Sequence, residues 1–453
     1  MTDAEAMMWR LEHDPYLCSN VAIVAVLDRS PDIDVLRRRM ERASYLIPRL
    51  RHRVRTVTGN LARPVFEIDP DFDFDSHFRH IALPAPGSDR QLHDLAAVMA
   101  LDPLDARRPL WQATVVDGLK KGRAAIILKT HHTVTDGEGG MQLAVHLVDL
   151  ERNAQQPGMP DPDTVAAAEE AARELAGDSI RDVLNQSLRI PLGVTAQVRE
   201  LLAEPARLPD ASAEAADTLR GLAEQLGDTE TARSPIWTER SLARRFLTGQ
   251  APIKPTKAVA RSLGGTLNTA FLTIAAEAAS RYHAALDAPV DTLRASMAVS
   301  TRTEQSGSNA FSLVRLVAPT AAMPLDERFR AVQDATAEAT EQAAQGAMEA
   351  VAALSVLLPT ALITRLAKQQ TQTVDFGTSN VKGSPIPIYA GGAKVIGTYP
   401  IGPTIGTAFN LTLLSYRKKL EMGLNVDSRA VADPDLLGEL LGDSVRDFVA
   451  LAD

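Results

Sequence analysis

The sequence predicts an α/β protein made of two similar α/β halves. Short apolar runs of strand length alternate with segments of helical periodicity toward both ends of the chain. Between them the composition shifts to Ala, Glu, Asp and Pro, which is typical of a helical connection. The length of 453 residues also exceeds what one hydrophobic core usually organises. We therefore expect a first half at 1–150, a helical crossover linker at 151–235 and a second half at 236–453.

The first half is predicted to interleave strands with helices. Apolar, β-branched runs indicate strands, and apolar residues spaced three and four apart indicate helices. The predicted strands are 19–27, 53–57, 65–68, 110–116 and 124–130, and the predicted helices are 33–46 and 90–99. The last two strands flank a short polar turn, so they are expected to form a hairpin.

The second half repeats this character. Its predicted strands are 293–301, 311–318, 394–399, 407–416 and 420–426, and its predicted helices are 266–286 and 325–358. Asp433 as N-cap and Pro434 at the first helical position predict a further helix through 451. In the crossover, 162–175 and 213–226 have helical composition.

Composition excludes several classes of protein. A net charge of −9 and a pI of about 5.6 argue against a general nucleic-acid binder, which needs a basic surface. Cys18 is the only cysteine, so an internal disulfide and a cysteine-based metal cluster are both impossible. The first six residues are acidic where a signal peptide would be basic, so we expect a cytoplasmic protein.

The segment HHTVTDG at 131–137 gives the clearest chemical signal. It follows the apolar run 124–130, so it stands at the end of a rigid strand. Successive strand side chains point to opposite faces, so only one of His131 and His132 can enter a given cleft. Asp136 and Gly137 then turn the chain toward 141–150, whose apolar spacing predicts a helix.

Two other interpretations of this segment are less favoured. A single histidine in an apolar context is usually a core residue, but here an adjacent pair is followed by Asp-Gly. A metal site would use His132 and Asp136 at i and i+4 of a helix, yet the β-branched residues 133–135 and Gly137 disfavour a helix. No third ligand is near in sequence, so no metal is predicted.

Further motifs accompany this one in a fixed order. PLW occurs at 109–111 and SNVKG at 379–383, with weaker matches at 3–12, 48–51, 299–302, 410–411 and 415–416. With these motifs and HHxxxDG, the chain resembles the bacterial wax ester synthase/diacylglycerol acyltransferase family over essentially its full length. That family is a branch of the chloramphenicol-acetyltransferase-like and condensation-domain-like superfamily. Two positions depart from its pattern: Thr269 follows Asn268 where Asn-Asp is common, and Lys382 replaces a proline.

The resemblance implies two chloramphenicol-acetyltransferase-like subdomains with mixed sheets around a central tunnel. It places His132, beside His131, in that tunnel as the general base for the acceptor hydroxyl. It also implies that Asp136 turns away from the base and pairs with an arginine, for which Arg302 is our candidate. Gly137 then lets the backbone turn close to the reaction centre.

Five residues of the family motifs are candidates for lining the tunnel or contacting substrate. They are Pro109, Leu110, Trp111, Asn268 and Asn380. A tryptophan on a predicted hairpin fits the hydrophobic core equally well, so Trp111 has two interpretations.

The activity that the resemblance implies is an acyl-CoA-dependent O-acyltransferase that esterifies diacylglycerol, with long-chain alcohols as further acceptors. Acyl-CoA is then a co-substrate, and no permanently bound cofactor is expected. Lys254, Lys257 and Arg261 are weak candidates for its phosphates, because such clusters are usually ordinary surface. One alternative is acylation of a specialised lipid or secondary metabolite from a carrier-bound donor, which the two departures keep open. A non-catalytic acyl-binding protein is disfavoured by the intact motif.

A lipid alcohol acceptor implies contact with a membrane or lipid-droplet surface. Residues 351–363 are apolar and flanked by Arg365 and Lys368, but they are too few to span a bilayer. This segment can either dip into a lipid surface or pack in the core. We expect at most peripheral attachment at the inner face of the membrane.

Overall fold

The computed structural model describes residues 1–56, 64–135, 140, 144–161, 163–165, 167, 170, 234–300, 311–344, 360–371 and 373–452. The predicted crossover helix 213–226 and most of 162–175 lie outside these residues, as do 345–358 of the predicted helix 325–358. Of the segment 141–150 that was predicted to be helical, 141–143 also lie outside them, and 144–147 are helical.

The first half has the following longer α-helices and strands among the described residues. They are α1 (Asp3–Leu11), β1 (Asn20–Leu27), α2 (Ile33–Leu46), β2 (His52–Arg55), β3 (Val65–Ile68), β4 (Phe78–Ala82), α3 (Asp89–Leu101), β5 (Trp111–Leu119) and β6 (Arg123–His131). The predicted helix 33–46 is confirmed at both ends, and the Asp32 side chain caps it by accepting from the Val35 N–H. Helix α1 and strand β4 were not predicted from the sequence.

The second half has a matching alternation. Its elements are β7 (Arg244–Pro252), α4 (Ile253–Ser262), α5 (Leu267–Ala285), β8 (Thr292–Ser300), β9 (Phe311–Pro319), α6 (Leu325–Ala344), α7 (Thr360–Thr371), β10 (Phe376–Val381), β11 (Tyr389–Ala390), β12 (Ala393–Ile401), β13 (Phe409–Tyr416), β14 (Lys419–Asp427) and α8 (Pro434–Ala450). Asp433 caps α8 as predicted, because its side chain accepts from the Leu436 N–H at 3.0 Å. Helix α5 is buried around most of its circumference, as expected for a helix that is apolar on nearly every side.

Two six-stranded mixed sheets organise the molecule. The first has the order β11-β12-β1-β6-β5-β4, and the second has the order β7-β14-β13-β10-β8-β9. Strand β4 runs parallel to β5, and β10 runs parallel to both β13 and β8. The other pairings in both sheets are antiparallel. The predicted α/β class with mixed sheets is therefore confirmed.

The second half contributes two strands to the sheet of the first half. Strands β11 and β12 belong to the second half by sequence, yet β12 pairs with β1 in the first sheet. Residues 389–401 thus complete the sheet that carries the HHTVTDG segment. The division of the chain at 150 and 236 stays a prediction, and the described residues show that the sheets do not follow it.

The backbone of β12 also packs closely against β14 of the second sheet. A Cβ atom on Gly423 of β14 would lie 1.7 Å from the carbonyl oxygen of Pro400, so only glycine permits this approach. Close by, the Thr398 hydroxyl donates to the buried Glu421 carboxylate at 2.8 Å, and the Thr398 N–H donates to the same oxygen. Burial raises the pKa of Glu421, although these two hydrogen bonds oppose the shift.

A mixed apolar and charged interface also joins the halves. Leu92 and Ala96 of α3 pack with Phe246 of β7 in one buried cluster. At its edge the largely buried Arg245 contacts Asp94 of α3 at 2.5 Å and Asp435 of α8 at 2.9 Å. The halves are thus joined by backbone, apolar and ionic contacts.

Replacing Gly423 by Ala tests the close crossing of the sheets. Because the added methyl group would meet backbone rather than a movable side chain, we expect a loss of about 2 kcal/mol or more in the free energy of unfolding, measured by urea denaturation. The control is Gly249→Ala in the neighbouring strand. There the new Cβ would meet only side-chain atoms, of Met422 at 3.4 Å and of Leu441 at 3.7 Å, and it should cost less than about 1 kcal/mol. Equal stability of the two variants would contradict the crossing.

Candidate active site

His131 is the last residue of β6 and is almost completely buried, with 1% of its surface exposed. It lies opposite Asn20 of β1, and its backbone N–H donates to the Leu110 carbonyl at 2.9 Å. Its ring Nε2 lies 3.1 Å from a carboxylate oxygen of Glu12, and the edge of Trp9 packs against the ring. The imidazole is therefore fixed on every side by the first half of the chain.

The hydrogen bonds also assign the tautomer of His131. The Thr133 backbone N–H donates to Nδ1 at 3.2 Å, so this nitrogen must be an acceptor. The Thr133 hydroxyl lies 2.7 Å from the same nitrogen. The proton is therefore on Nε2, where it is donated to Glu12. Both ring nitrogens are thus occupied by structural hydrogen bonds.

The Glu12 carboxylate organises this part of the site. One oxygen accepts from His131 Nε2 and from the Ser19 N–H at 3.0 Å, and the other accepts from the Cys18 thiol at 3.0 Å. Burial alone would raise the pKa of Glu12, but the hydrogen bonds from His131, Cys18 and Ser19 outweigh it and hold the pKa below its usual 4.5. Burial and the Glu12 charge raise the pKa of Cys18 to about 12, so the thiol stays a donor.

His132 differs from His131 in its burial and in its position relative to β6. It follows the end of β6, and its side chain is only half-buried. Its backbone N–H donates to the Ser19 carbonyl at 3.0 Å, and the N–H of the same Ser19 is held by Glu12. The carboxylate therefore holds the His131 ring directly and the His132 backbone through one residue.

A second support reaches the segment from Arg49. Its guanidinium donates to the Thr133 carbonyl at 3.3 Å, lies 3.7 Å from Glu5 and stacks over Phe66 at 3.6 Å. Glu5 also completes a capping box with Thr2 at the start of α1. The weaker motif matches at 3–12 and 48–51 thus have a structural role, because both contact the segment that carries the histidines.

The PLW motif lies beside the same segment. Leu110 and Trp111 are buried in the first-half core, and the Trp111 indole N–H donates to the Leu50 carbonyl at 2.8 Å. The ring stacks on His77, whose Nδ1–H donates to the Trp111 carbonyl at 2.8 Å. Burial lowers the pKa of His77. These contacts are those of a core residue, while the predicted contact of Pro109, Leu110 and Trp111 with substrate stays a prediction.

The candidates of the second half occupy the starts and ends of its elements. Asn268 lies in the first turn of α5, and its amide group lies 2.8 Å from Met297 Sδ. Thr269 completes a capping box with Thr266, so this departure from the family pattern has a structural function of its own. Asn380 is exposed near the end of β10, and Lys382 follows it on the surface.

The three cations proposed for CoA lie on α4. Lys254, Lys257 and Arg261 are all exposed, and their spacing of three and four residues places them on one face. The structure does not connect this face to the histidine segment by any described hydrogen bond or ion pair.

The remaining candidates lie outside the described residues. These are Asp136, Gly137 and Arg302, so the pairing of Asp136 with Arg302 stays a prediction. Within the described ranges, no cluster of three or more His, Cys, Asp or Glu side chains is arranged to hold a metal ion. No helix in the same ranges is long and apolar enough to cross a membrane.

Sequence reasoning missed the residues that hold the motif in place. Glu12, Arg49 and Thr133 are separated from one another by tens of residues, and only Thr133 lies within the motif itself. An indirect signal existed in the matches at 3–12 and 48–51, which contain Glu12 and Arg49. Their contacts with His131 and Thr133 depend on tertiary packing, which spacing along the chain does not show.

Removing the Glu12 carboxylate should weaken this segment. Glu12→Ala leaves the His131 Nε2–H and the Ser19 N–H without their acceptor, and each buried unpaired donor costs about 1 to 3 kcal/mol. We expect urea denaturation to show a loss of about 2 kcal/mol or more, and we expect Glu12→Gln, which keeps an oxygen acceptor, to lose less than half of that. Wild-type stability in Glu12→Ala would contradict the assigned hydrogen bonds.

The pH dependence of this contribution follows from the lowered pKa of Glu12. Since that pKa lies below its ordinary value of 4.5, the stabilisation is complete above pH 4.5 and declines as the pH falls through the folded-state pKa. The difference in stability between wild type and Glu12→Ala should therefore be largest near neutral pH and shrink in acid.

Comparison with known proteins identifies the family of the chain. Residues 1–271 match the wax ester synthase/diacylglycerol acyltransferase catalytic domain, and residues 307–448 match the C-terminal domain of the same family. A Mycobacterium tuberculosis protein named "putative diacylglycerol O-acyltransferase" is 30% identical, with 98% of this chain and 91% of that protein covered.

Solved structures show the same fold. The wax ester synthase/diacylglycerol acyltransferase from Marinobacter aquaeolei VT8 is similar with a TM-score of 0.67 and 21% identity, and the match covers 100% of both chains. The first condensation domain of the CDA synthetase gives a TM-score of 0.58 and 18% identity, with 100% of this chain and 95% of that chain covered. The chain therefore belongs to the wax ester synthase/diacylglycerol acyltransferase family.

Proposed function

We propose that this acyltransferase uses acyl-CoA to esterify diacylglycerol, with long-chain alcohols as further acceptors and His132 as general base. One observation supports the choice of base. Both ring nitrogens of the buried His131 are held by Glu12 and Thr133, whereas the half-buried His132 follows at the turn. A proton acceptor has to reach the hydroxyl group, so the less buried histidine fits that task.

The proposed reaction needs one proton to move twice. His132 takes the proton of the acceptor hydroxyl group while the hydroxyl oxygen attacks the carbonyl carbon of the thioester. The new C–O bond forms, the C–S bond breaks, and the proton returns to the CoA thiolate. A positioned general base typically accelerates such a step about 10² to 10⁴-fold. At about 1.4 kcal/mol for each factor of ten, this lowers the barrier by roughly 3 to 5.5 kcal/mol.

The remaining acceleration is assigned to positioning of the two substrates. We propose that they meet in a tunnel lined by residues of the PLW motif together with Asn268 and Asn380. Asp136, paired with Arg302, would shape the turn after His132 rather than accept the proton. Gly137 would let the backbone pass close to the thioester.

The acceptor class separates this proposal from its main alternative. Acylation of a specialised lipid or secondary metabolite was suggested by Thr269 and Lys382. The presence of threonine at 269 is explained by local structure, because Thr269 and Thr266 form the capping box of α5. The alternative therefore rests on the exposed Lys382 alone.

Peripheral membrane contact is also part of the proposal, because diacylglycerol resides in a lipid surface. The predicted contact segment 351–363 lies mostly outside the described residues, and its basic neighbours Arg365 and Lys368 belong to α7.

Incubating the purified protein with labelled palmitoyl-CoA and a panel of acceptors tests the function. Diacylglycerol, hexadecanol and water-soluble hydroxyl compounds would be compared by mass spectrometry. We expect labelled triacylglycerol as the main product and a smaller amount of wax ester. Label found only on a water-soluble acceptor would contradict the proposal and favour the alternative.

Two histidine variants in the same assay test the assigned base. His132→Ala should lower ester synthesis about 10² to 10⁴-fold with an unchanged circular dichroism spectrum, because a base is lost but core packing is not. His131→Ala serves as the comparison and should lower the melting temperature, because a buried and hydrogen-bonded ring is removed. A reversed pattern, with His131 needed for chemistry and His132 dispensable, would overturn the assignment.

A further inference from the structure

A groove of about 640 Å³ lies between α7 and the turn that follows α1. Its lining includes His13 and Asp14 of the turn and Thr360, Thr364, Arg365 and Lys368 of α7. The volume is within the range of small-molecule sites. These six residues all carry polar or charged side chains, so they offer hydrogen-bond partners and charges to a ligand that enters the groove.

Two cations and two hydroxyl groups share one wall of this groove. Arg365 and Lys368 are three residues apart on α7, and Thr360 and Thr364 extend the same row. Lys368 is oriented by Asp14, whose carboxylate lies 3.1 Å from Nζ, and it lies over the Tyr16 ring at 4.7 Å. Asp14 is thereby neutralised.

Lys368 pairs with Asp14, whereas the exposed Arg365 forms no ion pair or hydrogen bond with any described residue, although Asp14 lines the same groove. A guanidinium group presents a planar fork of N–H donors that matches phosphate oxygens. An arginine without a described partner, beside a fixed lysine and two hydroxyl groups, is a composition that binds phosphate groups.

The position of the groove connects it to the histidines. His13 and Asp14 directly follow Glu12, whose carboxylate binds His131 and holds Ser19, the backbone partner of His132. A ligand seated there would lie beside the support of the catalytic segment. The net charge of the chain is −9, so an anionic substrate needs such a local positive patch.

We propose that this groove binds the nucleotide phosphates of the acyl-CoA donor through Arg365 and Lys368. The inference rests on the proposed function and gives the donor a binding site on α7. It replaces the α4 cluster of Lys254, Lys257 and Arg261, none of which lines the groove. The thioester end of the donor then extends from the groove toward the histidine segment.

A pair of donors tests this site with the full-length protein. Palmitoyl-CoA has the nucleotide phosphates, whereas palmitoyl-N-acetylcysteamine has the same thioester without them. We expect Arg365→Ala to raise KM for palmitoyl-CoA about tenfold or more, as for the loss of one charged hydrogen bond, with kcat unchanged. KM for palmitoyl-N-acetylcysteamine should stay the same. Arg365→Lys should restore part of the loss.

The matched control is Arg330→Ala. Arg330 is an exposed helical arginine on α6 that pairs with Asp326, and its removal should change neither KM. Lys257→Ala tests the competing site on α4. A KM for palmitoyl-CoA that rises in Lys257→Ala but not in Arg365→Ala would overturn the groove proposal in favour of α4.

Failure of the groove and failure of the function are distinguishable. If wild type uses both donors and Arg365→Ala affects them equally, the groove proposal is overturned while the function stands. If wild type makes no ester from either donor, the function fails, and calorimetry with adenosine 3′,5′-bisphosphate then decides the groove. Binding by wild type that is lost in Arg365→Ala supports the groove proposal, and no binding by wild type overturns it.

A vesicle assay distinguishes the nucleotide from lipid headgroups. If Arg365→Ala floats more weakly than wild type with phosphatidylglycerol vesicles while its donor preference is unchanged, the groove binds lipid headgroups and the proposal is overturned.

Discussion

The Glu12 carboxylate is the constraint on which the candidate site depends. It accepts hydrogen bonds from the ring of His131 and from the backbone of Ser19, and Ser19 in turn accepts from the backbone of His132. One partly buried charge therefore acts on both histidines by different routes. It holds the ring of the first directly, and it holds the backbone of the second through Ser19. We propose that this asymmetry gives the two adjacent histidines different tasks.

The position of that carboxylate depends in turn on both halves of the chain. Strand β1, which follows Ser19, lies between β6 of the first half and β12 of the second half. Strand β12 is pressed against β14 where Gly423 admits the Pro400 carbonyl. A disturbance of this crossing would move β1 and with it the backbone partner of His132. These strand pairings connect the segment that carries the histidines to the second half through β1 and β12.

The sequence predicted those parts of the fold that local interactions determine. The helix at 33–46 and the cap at Asp433 follow from side chains within a few residues of each other. The placement of β12 in the first sheet was not predictable, because its partner β1 lies more than 350 residues away in sequence. The same reason hid Glu12, which is 119 residues from His131. The strand-face argument could distinguish His131 from His132 because side-chain alternation is local, whereas the contacts of Trp111 with Leu50 and His77 depend on residues 61 and 34 positions away in sequence.

A crystal structure with a bound long-chain ester product would show which of the two histidines acts on the substrate and would test the claim that His132 is the base. The predicted result is a ring nitrogen of His132 within about 3.2 Å of the ester oxygen that came from the alcohol, with His131 still hydrogen-bonded to Glu12. An ester oxygen bound instead by His131 or Asp136, with the His132 ring turned away from it, would contradict the claim.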